Sequence, residues 1–280
     1  MDLRVFDSKP RESENQVAIL PVHSTMNTRA LSALELAALL LPAGVTVFER
    51  GMAWIWVLLA AILTALVWQR IFSDVRGRHF NPDGLVAAVV CAVALPASVS
   101  LWQVVLSLSF GIVVGQEIFG GRGRNFLNPA TVALAFFIFS FPAQPLGSLA
   151  PAMALAVIPG ALLLLVAGLV SWRVVAGAAS ALLLMSTAIN SGVPPALMVP
   201  AGFLFGLIFL AADPVAAAST QLGRWVYGAL FGGVTALLAG VGAPRMETVV
   251  SVALLAGIFA PLIDCAVIAL NSYRRGQRHD

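Results

Sequence analysis

Long apolar runs separated by short polar loops dominate this chain of 280 residues. A helix that rises about 1.5 Å per residue needs about 20 residues to cross a hydrocarbon layer of about 30 Å, and several runs approach that length. The pattern predicts an all-α integral membrane protein with about ten transmembrane helices. The runs are 31–48, 52–69, 84–98, 100–117, 128–142, 148–171, 174–191, 197–212, 225–242 and 248–270.

Two of the runs, 84–98 and 128–142, are too short to cross a bilayer as straight, upright helices. We expect them to be tilted, extended by their flanks, or half-helices whose free ends are buried in protein. Both belong to an internal sequence repeat, in which a basic glycine loop, Asn-Pro and a short apolar run occur at 77–96 and again at 123–142. Repeats with interrupted helices often build a site in mid-membrane, so this repeat favours transport or a buried ligand.

The composition excludes several other classes of protein. With 60% hydrophobic and 10% charged residues, the chain lacks the polar surface of a large soluble catalytic domain. Its two cysteines lie in separate apolar runs, which argues against a disulfide framework. A net charge of +3 does not indicate nucleic-acid binding, because the basic residues lie between the apolar runs.

The positive residues predict the orientation of the chain. With ten crossings and the amino end inside, fourteen of the sixteen lie in the cytoplasm, and Arg50 and Arg245 lie outside. We therefore expect a multi-pass protein of the bacterial inner membrane with both termini cytoplasmic. Its parts are a cytoplasmic segment at 1–30, a transmembrane domain at 31–270 and a basic tail at 271–280.

Three Asx-Pro pairs resemble helix starts, Asn-Pro at 81–82 and 128–129 and Asp-Pro at 213–214. Asn and Asp are strong N-caps, and proline suits the first helical position. Counting crossings places all three starts on the cytoplasmic side. Their positive ends, with free N–H groups, would suit an anion, a carbonyl oxygen, or the polar edge of a flavin or quinone. The alternative is that they are simply efficient helix starts.

A glycine-rich loop at 120–125 allows two interpretations. Gly120 and Gly121 would let the backbone approach a ligand, and Arg122 and Arg124 could hold a phosphate or anionic lipid. The alternative is a tight cytoplasmic turn whose arginines contact membrane lipid. The loop lacks the lysine and hydroxyl of a P-loop.

Acidic residues inside apolar runs are costly and are usually paired or functional. Asp264 is expected either to coordinate a cation with backbone carbonyls or to hold a helix end in place, whereas Asp213 is expected to be a cap. Glu35 lies early in the first run. Gly111 and Gly115 form a GxxxG pair and predict a packing seam with another helix or subunit.

Four motifs give the chain a specific resemblance. The stretch 117–130, EIFGGRGRNFLNPA, is followed in order by motifs at 213–215, 223–228 and 259–264. Together they resemble the NqrB/RnfD family, the membrane subunits of the sodium-translocating NADH:quinone reductase and of the Rnf complex. The resemblance covers about residues 77–276.

This resemblance implies a ten-helix subunit that works with other Nqr/Rnf-like subunits. It implies noncovalent flavin (riboflavin or FMN) or quinone bound among the helices, and electron flow coupled to movement of Na+ or H+. Asp264 would support the cation. The residues expected around the cofactor are Gly120, Gly121, Arg122, Arg124, Asn125, Asn128 and Asp213.

One departure concerns covalent flavin. Family members esterify FMN to the threonine of a Ser-Gly-Ala-Thr type motif in an outer loop, which corresponds here to 142–148. The chain contains no such motif, so we expect no covalent FMN on it. Two other functions remain open: a channel or transporter for a small solute on the same scaffold, and a membrane anchor for redox partners.

Overall fold

Ten helices account for nearly all of the described chain. A computed structural model describes residues 28–77, 79–147, 149–189, 201–240 and 246–276, and these ranges contain helices and turns but no strand. The helices are α1 Thr28–Arg50, α2 Ala53–Val75, α3 Leu85–Ala94, α4 Leu101–Ile112, α5 Pro129–Ser140, α6 Pro151–Val166, α7 Trp172–Ala188, α8 Ala201–Gly206, α9 Gln221–Gly240 and α10 Met246–Gly276. Two helices continue into a π-helical turn, α4 at Val113–Glu117 and α8 at Leu207–Ala211.

The all-helical prediction is confirmed for the described residues, with one helix for each predicted run. Four helical stretches are long and apolar enough to cross a membrane, at Arg29–Arg50, Ala53–Val75, Gln221–Ala239 and Met246–Tyr273. The other apolar helices are 10–17 residues long when the π-helical turns are counted with α4 and α8. Residues 197–200 of the eighth predicted run lie outside the described ranges.

The ten helices form two halves with the same internal packing. In the first half, α1 packs on α3, α2 on α4, and both α3 and α4 on α5. In the second half, α6 packs on α8, α7 on α9, and both α8 and α9 on α10. Helices α1–α5 therefore correspond one by one to α6–α10.

Corresponding helices also join the two halves, because α1 packs against α6 and α5 against α10. Five is an odd number, so two halves whose helices all cross the bilayer would run in opposite directions, as in inverted-repeat transporters. The internal sequence repeat relates α3 to α5 within the first half, whereas the structural repeat relates the first half to the second. The sequence analysis did not reveal the structural repeat.

The short helix α3 lies in the protein core, as expected for a helix too short to cross alone. Ala88, Val90 and Cys91 are each no more than 1% exposed. Side chains from other helices satisfy carbonyls near its carboxyl end: Trp54 Nε1 donates to Ala92 O at 2.7 Å, and Arg50 donates to Leu95 O at 2.5 Å. Such partners are required because hydrocarbon offers none.

Glycines allow close approach at two helix seams. The GxxxG prediction is confirmed within the chain, because a Cβ at Gly111 or Gly115 would crowd the backbone of α5 around Pro129. The seam between α7 and α9 is equally tight, since a Cβ at Gly232 would collide with the carbonyl oxygen of Ala178. Small residues at such contacts let backbones approach and gain van der Waals packing.

Adjacent glycines of α9 provide a matched test of this seam. Gly232→Ala should lower the free energy of unfolding by roughly 1–3 kcal/mol, because the seam must open to admit a methyl group. Gly233→Ala should be neutral or slightly stabilising, because its nearest neighbour, the Cβ of Ala181, is 3.9 Å away and alanine favours helix. Thermal unfolding of both variants in detergent checks this, and equal melting temperatures would contradict the seam.

Candidate functional site

A polar cleft opens where α2 ends, between the loop that precedes α3 and the glycine-rich loop after α4. Its volume is about 210 Å³. Glycine, guanidinium, amide and carboxylate groups dominate its wall, together with one phenyl and one imidazole ring. The lining residues are Gln69, Phe72, Ser73, Arg76, His79, Asn81, Asp83, Gln116, Glu117, Gly120, Gly121 and Arg122.

A buried ion pair fixes the glycine-rich loop to α1. Arg122 donates to both carboxylate oxygens of Glu35, at 2.6 Å to Oε1, and each side chain is only 8% exposed. Burial by itself would lower the pKa of Arg122, but the negative charges of Glu35 and Asp213 outweigh it and raise the pKa. The guanidinium is therefore firmly charged.

Two further acids stand near this pair. Asp83 accepts a hydrogen bond from Ser32 Oγ at 2.9 Å. Asp83, Asp213 and Arg122 all line one inner void, and Glu35 and Asp213 line a second. We call Glu35, Asp83, Asp213 and Arg122 the acid–arginine cluster.

The cleft and the two inner voids are neighbours in a row. The cleft shares Asp83, Gln116 and Arg122 with the first void, and the first void shares Asn128 and Asp213 with the second. Each void measures about 20 Å³, which is room for about one water molecule. Polar groups thus lead from the cleft towards the bundle interior.

The prediction that Asn128 caps a helix is confirmed. Its Oδ1 accepts from the N–H groups of Ala130 at 2.8 Å and Thr131 at 3.3 Å, and Pro129 begins α5. Its Nδ2 donates across the bundle to Asp213 Oδ2 at 2.9 Å and to Phe209 O at 3.0 Å. Asn128 therefore joins the two halves.

The π-helical turn after α8 presents the carbonyl group that Asn128 binds. Ala212 N donates to Leu207 O at 2.8 Å, one residue further back than in an α-helix. The wider turn changes the local hydrogen-bond pattern, and Phe209 O lies within it. Turns of this kind frequently mark functional sites.

The other two predicted helix starts are wrong. Helix α3 begins at Leu85 with Gly84 as its N-cap, and Asn81 instead donates to Asp83 Oδ2 at 2.7 Å. Asp213 heads a turn, with its Oδ1 accepting from Val215 N at 2.8 Å, and the next helix begins only at Gln221. Proline after Asx is compatible with a turn as well as with a helix start, and here the turn prevails.

The expectation of free N–H groups at converging helix ends is also wrong. The Asn128 side chain itself occupies two N–H groups at the start of α5. At the start of α3, the side-chain amide of Gln69 faces the N–H groups of Asp83 and Gly84. A ligand in the cleft therefore meets side chains rather than two bare helix ends.

The structure divides the predicted cofactor residues into three groups. Gly120, Gly121 and Arg122 line the cleft, whereas Asn125, Asn128 and Asp213 line the inner voids. Arg124 is exposed and borders neither. Gly120, Gly121 and Gly123 have positive φ angles of 108°, 93° and 92°, so the loop needs glycine there.

Asp264 belongs to α10 and lies apart from the cleft, with its side chain against the start of α9. Its two oxygens accept from the backbone N–H and hydroxyl groups of Ser219 and Thr220, at 2.6–3.0 Å. This is the helix-end role that the sequence left open, whereas coordination of a cation by Asp264 stays a prediction. Within the described ranges, no three His, Cys, Asp or Glu side chains are grouped to hold a metal ion.

Sequence reasoning missed several residues of this region. Asp83 stands beside the Asn-Pro pair, and Ser32 lies one turn before Glu35, but neither has a distinctive motif. Arg76 lies in a loop between two apolar runs, where the sequence indicates only orientation, yet it donates to Glu117 Oε2 at 2.9 Å and to the Glu117 carbonyl. The sequence feature that could have identified this region is the presence of acidic residues close to the ends of apolar runs.

The chain is thus a multi-helix membrane protein of two five-helix halves, with a polar cleft leading to a buried charge cluster. A model of the NQR2, RnfD, RnfE family matches residues 20–147 and 144–271. The chain belongs to this family.

Curated relatives agree with this assignment. The chain is 34% identical to the NqrB subunit of the Na(+)-translocating NADH-quinone reductase of Pseudomonas aeruginosa strain LESB58, over 80% of this chain and 69% of the relative. It is 34% identical to the corresponding protein of Ectopseudomonas mendocina strain ymp, over 76% and 66% of the two chains. For that of Chromohalobacter salexigens the identity is 33%, over 75% and 64%.

Asn128 and Asp213 offer a test of the contact between the halves. Asn128→Asp keeps an oxygen to cap α5 but sets two carboxylates side by side, so we expect a clear loss of stability, roughly 1–3 kcal/mol. Adding Asp213→Asn returns an amide donor to the pair and should recover part of that loss. Thermal unfolding of the two single variants and the double variant measures the coupling, and purely additive effects would contradict the contact.

Proposed function

We propose that this chain is a membrane subunit of an Nqr- or Rnf-type electron-transport complex that couples electron transfer to movement of Na+ or H+. The observation that carries the proposal is the family match over nearly the whole chain. The relatives named above are NqrB subunits of Na(+)-translocating NADH-quinone reductases, which are complexes of several subunits. Other Nqr/Rnf-like subunits would accordingly be the partners of this chain.

The cleft is the proposed place for a quinone head or the edge of a flavin ring. Its volume of about 210 Å³ is below the roughly 300–1,000 Å³ of pockets that bury a whole drug-sized ligand, so only part of such a molecule would enter. Phe72 supplies an apolar face, and Arg76 and Gln69 supply donors for carbonyl oxygens. These groups fit a planar ring that carries carbonyl oxygens.

The bound cofactor would supply the redox chemistry, namely acceptance and release of electrons. The chain would position the ring and control its surroundings. Gly120 and Gly121 allow the backbone to form the cleft wall, and Arg122 holds that wall against Glu35. Asn125, Asn128 and Asp213 would act one layer further in, around the voids.

The orientation and the covalent flavin belong to the same proposal. The arginine distribution supports ten crossings with both termini in the cytoplasm. Arg50, which is expected outside, donates to Leu95 O at the opposite end of α3 from the cleft. In this arrangement the cleft opens towards the cytoplasm. The chain contains no Ser-Gly-Ala-Thr motif, which supports the proposal that any flavin on this chain is bound noncovalently.

The experiment that tests the function uses the complex isolated from its native membrane. We expect visible flavin absorbance that bleaches on addition of NADH and returns with quinone. After acid precipitation and gel separation, the band of this chain should show no flavin fluorescence. A colourless preparation that speeds the flux of a small solute into vesicles would instead favour the channel, and a colourless, flux-inactive one would favour the anchor.

Filling the cleft tests its role directly. Ser73→Trp places a large ring in the cleft wall, so quinone reduction should fall by roughly tenfold or more, the effect of about 1.4 kcal/mol of lost binding. Reduction of a soluble artificial acceptor upstream should be unchanged. Ile71→Trp is the control, because Ile71 is 44% exposed and outside the cleft. Equal quinone reduction by both variants would place the site elsewhere.

A further inference from the structure

The acid–arginine cluster contains three acidic side chains and one basic side chain. Each carboxylate accepts hydrogen bonds from neighbouring protein donors. Asp83 accepts from Ser32 and Asn81, and Asp213 accepts from Val215 N and Asn128 Nδ2. Of the residues that line the two inner voids, Arg122 is the one with a positive charge.

Arg122 occupies the position where a counter-ion is needed. Its guanidinium contacts both oxygens of Glu35 and borders the void shared by Asp83 and Asp213. At 8% exposure, its charge is screened by these acids rather than by solvent. The Nη2 atom of Arg122 donates to both Glu35 oxygens and Nη1 donates to Ser32 Oγ at 3.4 Å, so directed hydrogen bonds as well as charge fix the guanidinium in place.

The backbone around Arg122 is shaped to deliver this side chain. Gly121 and Gly123 flank it, and both have positive φ angles, which other residues rarely adopt. The loop thereby turns back from the end of α4 and sends the guanidinium in between α1 and the start of α3. The carbonyl of Gln116 and the N–H of Gly121 close this turn at 3.1 Å.

We propose that Arg122 is a tethered cation: its guanidinium occupies a cation position among Glu35, Asp83 and Asp213 that an exchangeable monovalent ion would otherwise fill. The same group stands between the cleft and the first void, so it bars free cations from the voids. Any ion that passes this point must displace Arg122 from Glu35. The proposal deepens the cation handling of the proposed function, but its test requires no electron transfer.

The test removes the tethered charge and returns it in solution. Arg122→Ala in the purified full chain should lower the melting temperature by roughly 5–10 °C, because buried acids lose their counter-charge. Guanidinium chloride at millimolar concentrations, far below denaturing, should raise it again in a saturable way, because a ligand stabilises the state that binds it. Choline chloride at equal ionic strength should have little effect. The wild type should respond to neither salt.

Two further variants make the outcome decisive. Arg122→Gln keeps a donor for Glu35 without the charge, so it should fold even where the alanine variant fails, and it should show the same rescue. Arg70→Ala is the matched control, because Arg70 pairs with Asp74 on the surface with its side chain 65% exposed, and it should show no rescue.

Several results would overturn the tethered cation. These are absence of guanidinium rescue in the Arg122→Gln variant, equal rescue of Arg70→Ala, or saturable stabilisation of the wild type by NaCl over choline chloride. Because unfolding is measured, failure here leaves the redox proposal intact. Conversely, a colourless complex would refute the redox proposal without touching this one.

Discussion

The arrangement of the cleft depends on one buried ion pair, between Glu35 of α1 and Arg122 of the glycine-rich loop. A buried pair contributes little net stability when compared with apolar residues of the same size, because both charges must leave water. Its value lies in specificity, since the pair forms in one arrangement and removing one partner leaves an uncompensated buried charge that destabilises the bundle. The loop is therefore held in one place, and the cleft wall with it.

The second constraint is the absence of water in the bundle core, where every backbone group must find a partner. Short helices meet this condition only with help from outside themselves. Trp54 and Arg50 serve the carboxyl end of α3, Asn128 serves the start of α5, and Asp264 serves the start of α9. Several polar side chains of this apolar chain thus satisfy backbone groups at helix ends. The acid–arginine cluster differs from them, because it brings together more charged side chains than the nearby helix ends require as partners.

The sequence predicted the ten helices that the described ranges contain and the class of protein, because long apolar runs and charged loops report directly on burial in lipid. It also predicted the cap at Asn128, where proline and asparagine act locally. It failed at Asn81 and Asp213, which have the same local pattern but begin turns, because the choice depends on neighbours such as Gln69. The pairing of Glu35 with Arg122 joins residues 87 positions apart, and no local pattern reports such a contact.

The π-helical turn at Leu207–Ala211 limits which mutations this segment can accept during evolution. It contains one residue more than an α-helical turn, so the stretch before it is rotated by about 100° relative to the stretch after it. Deletion of one residue here would restore regular α-helical hydrogen bonding. The preceding part of the helix would then rotate about its axis, which would move Phe203 and Phe205 out of the core. The segment should therefore accept substitutions far more readily than changes of length.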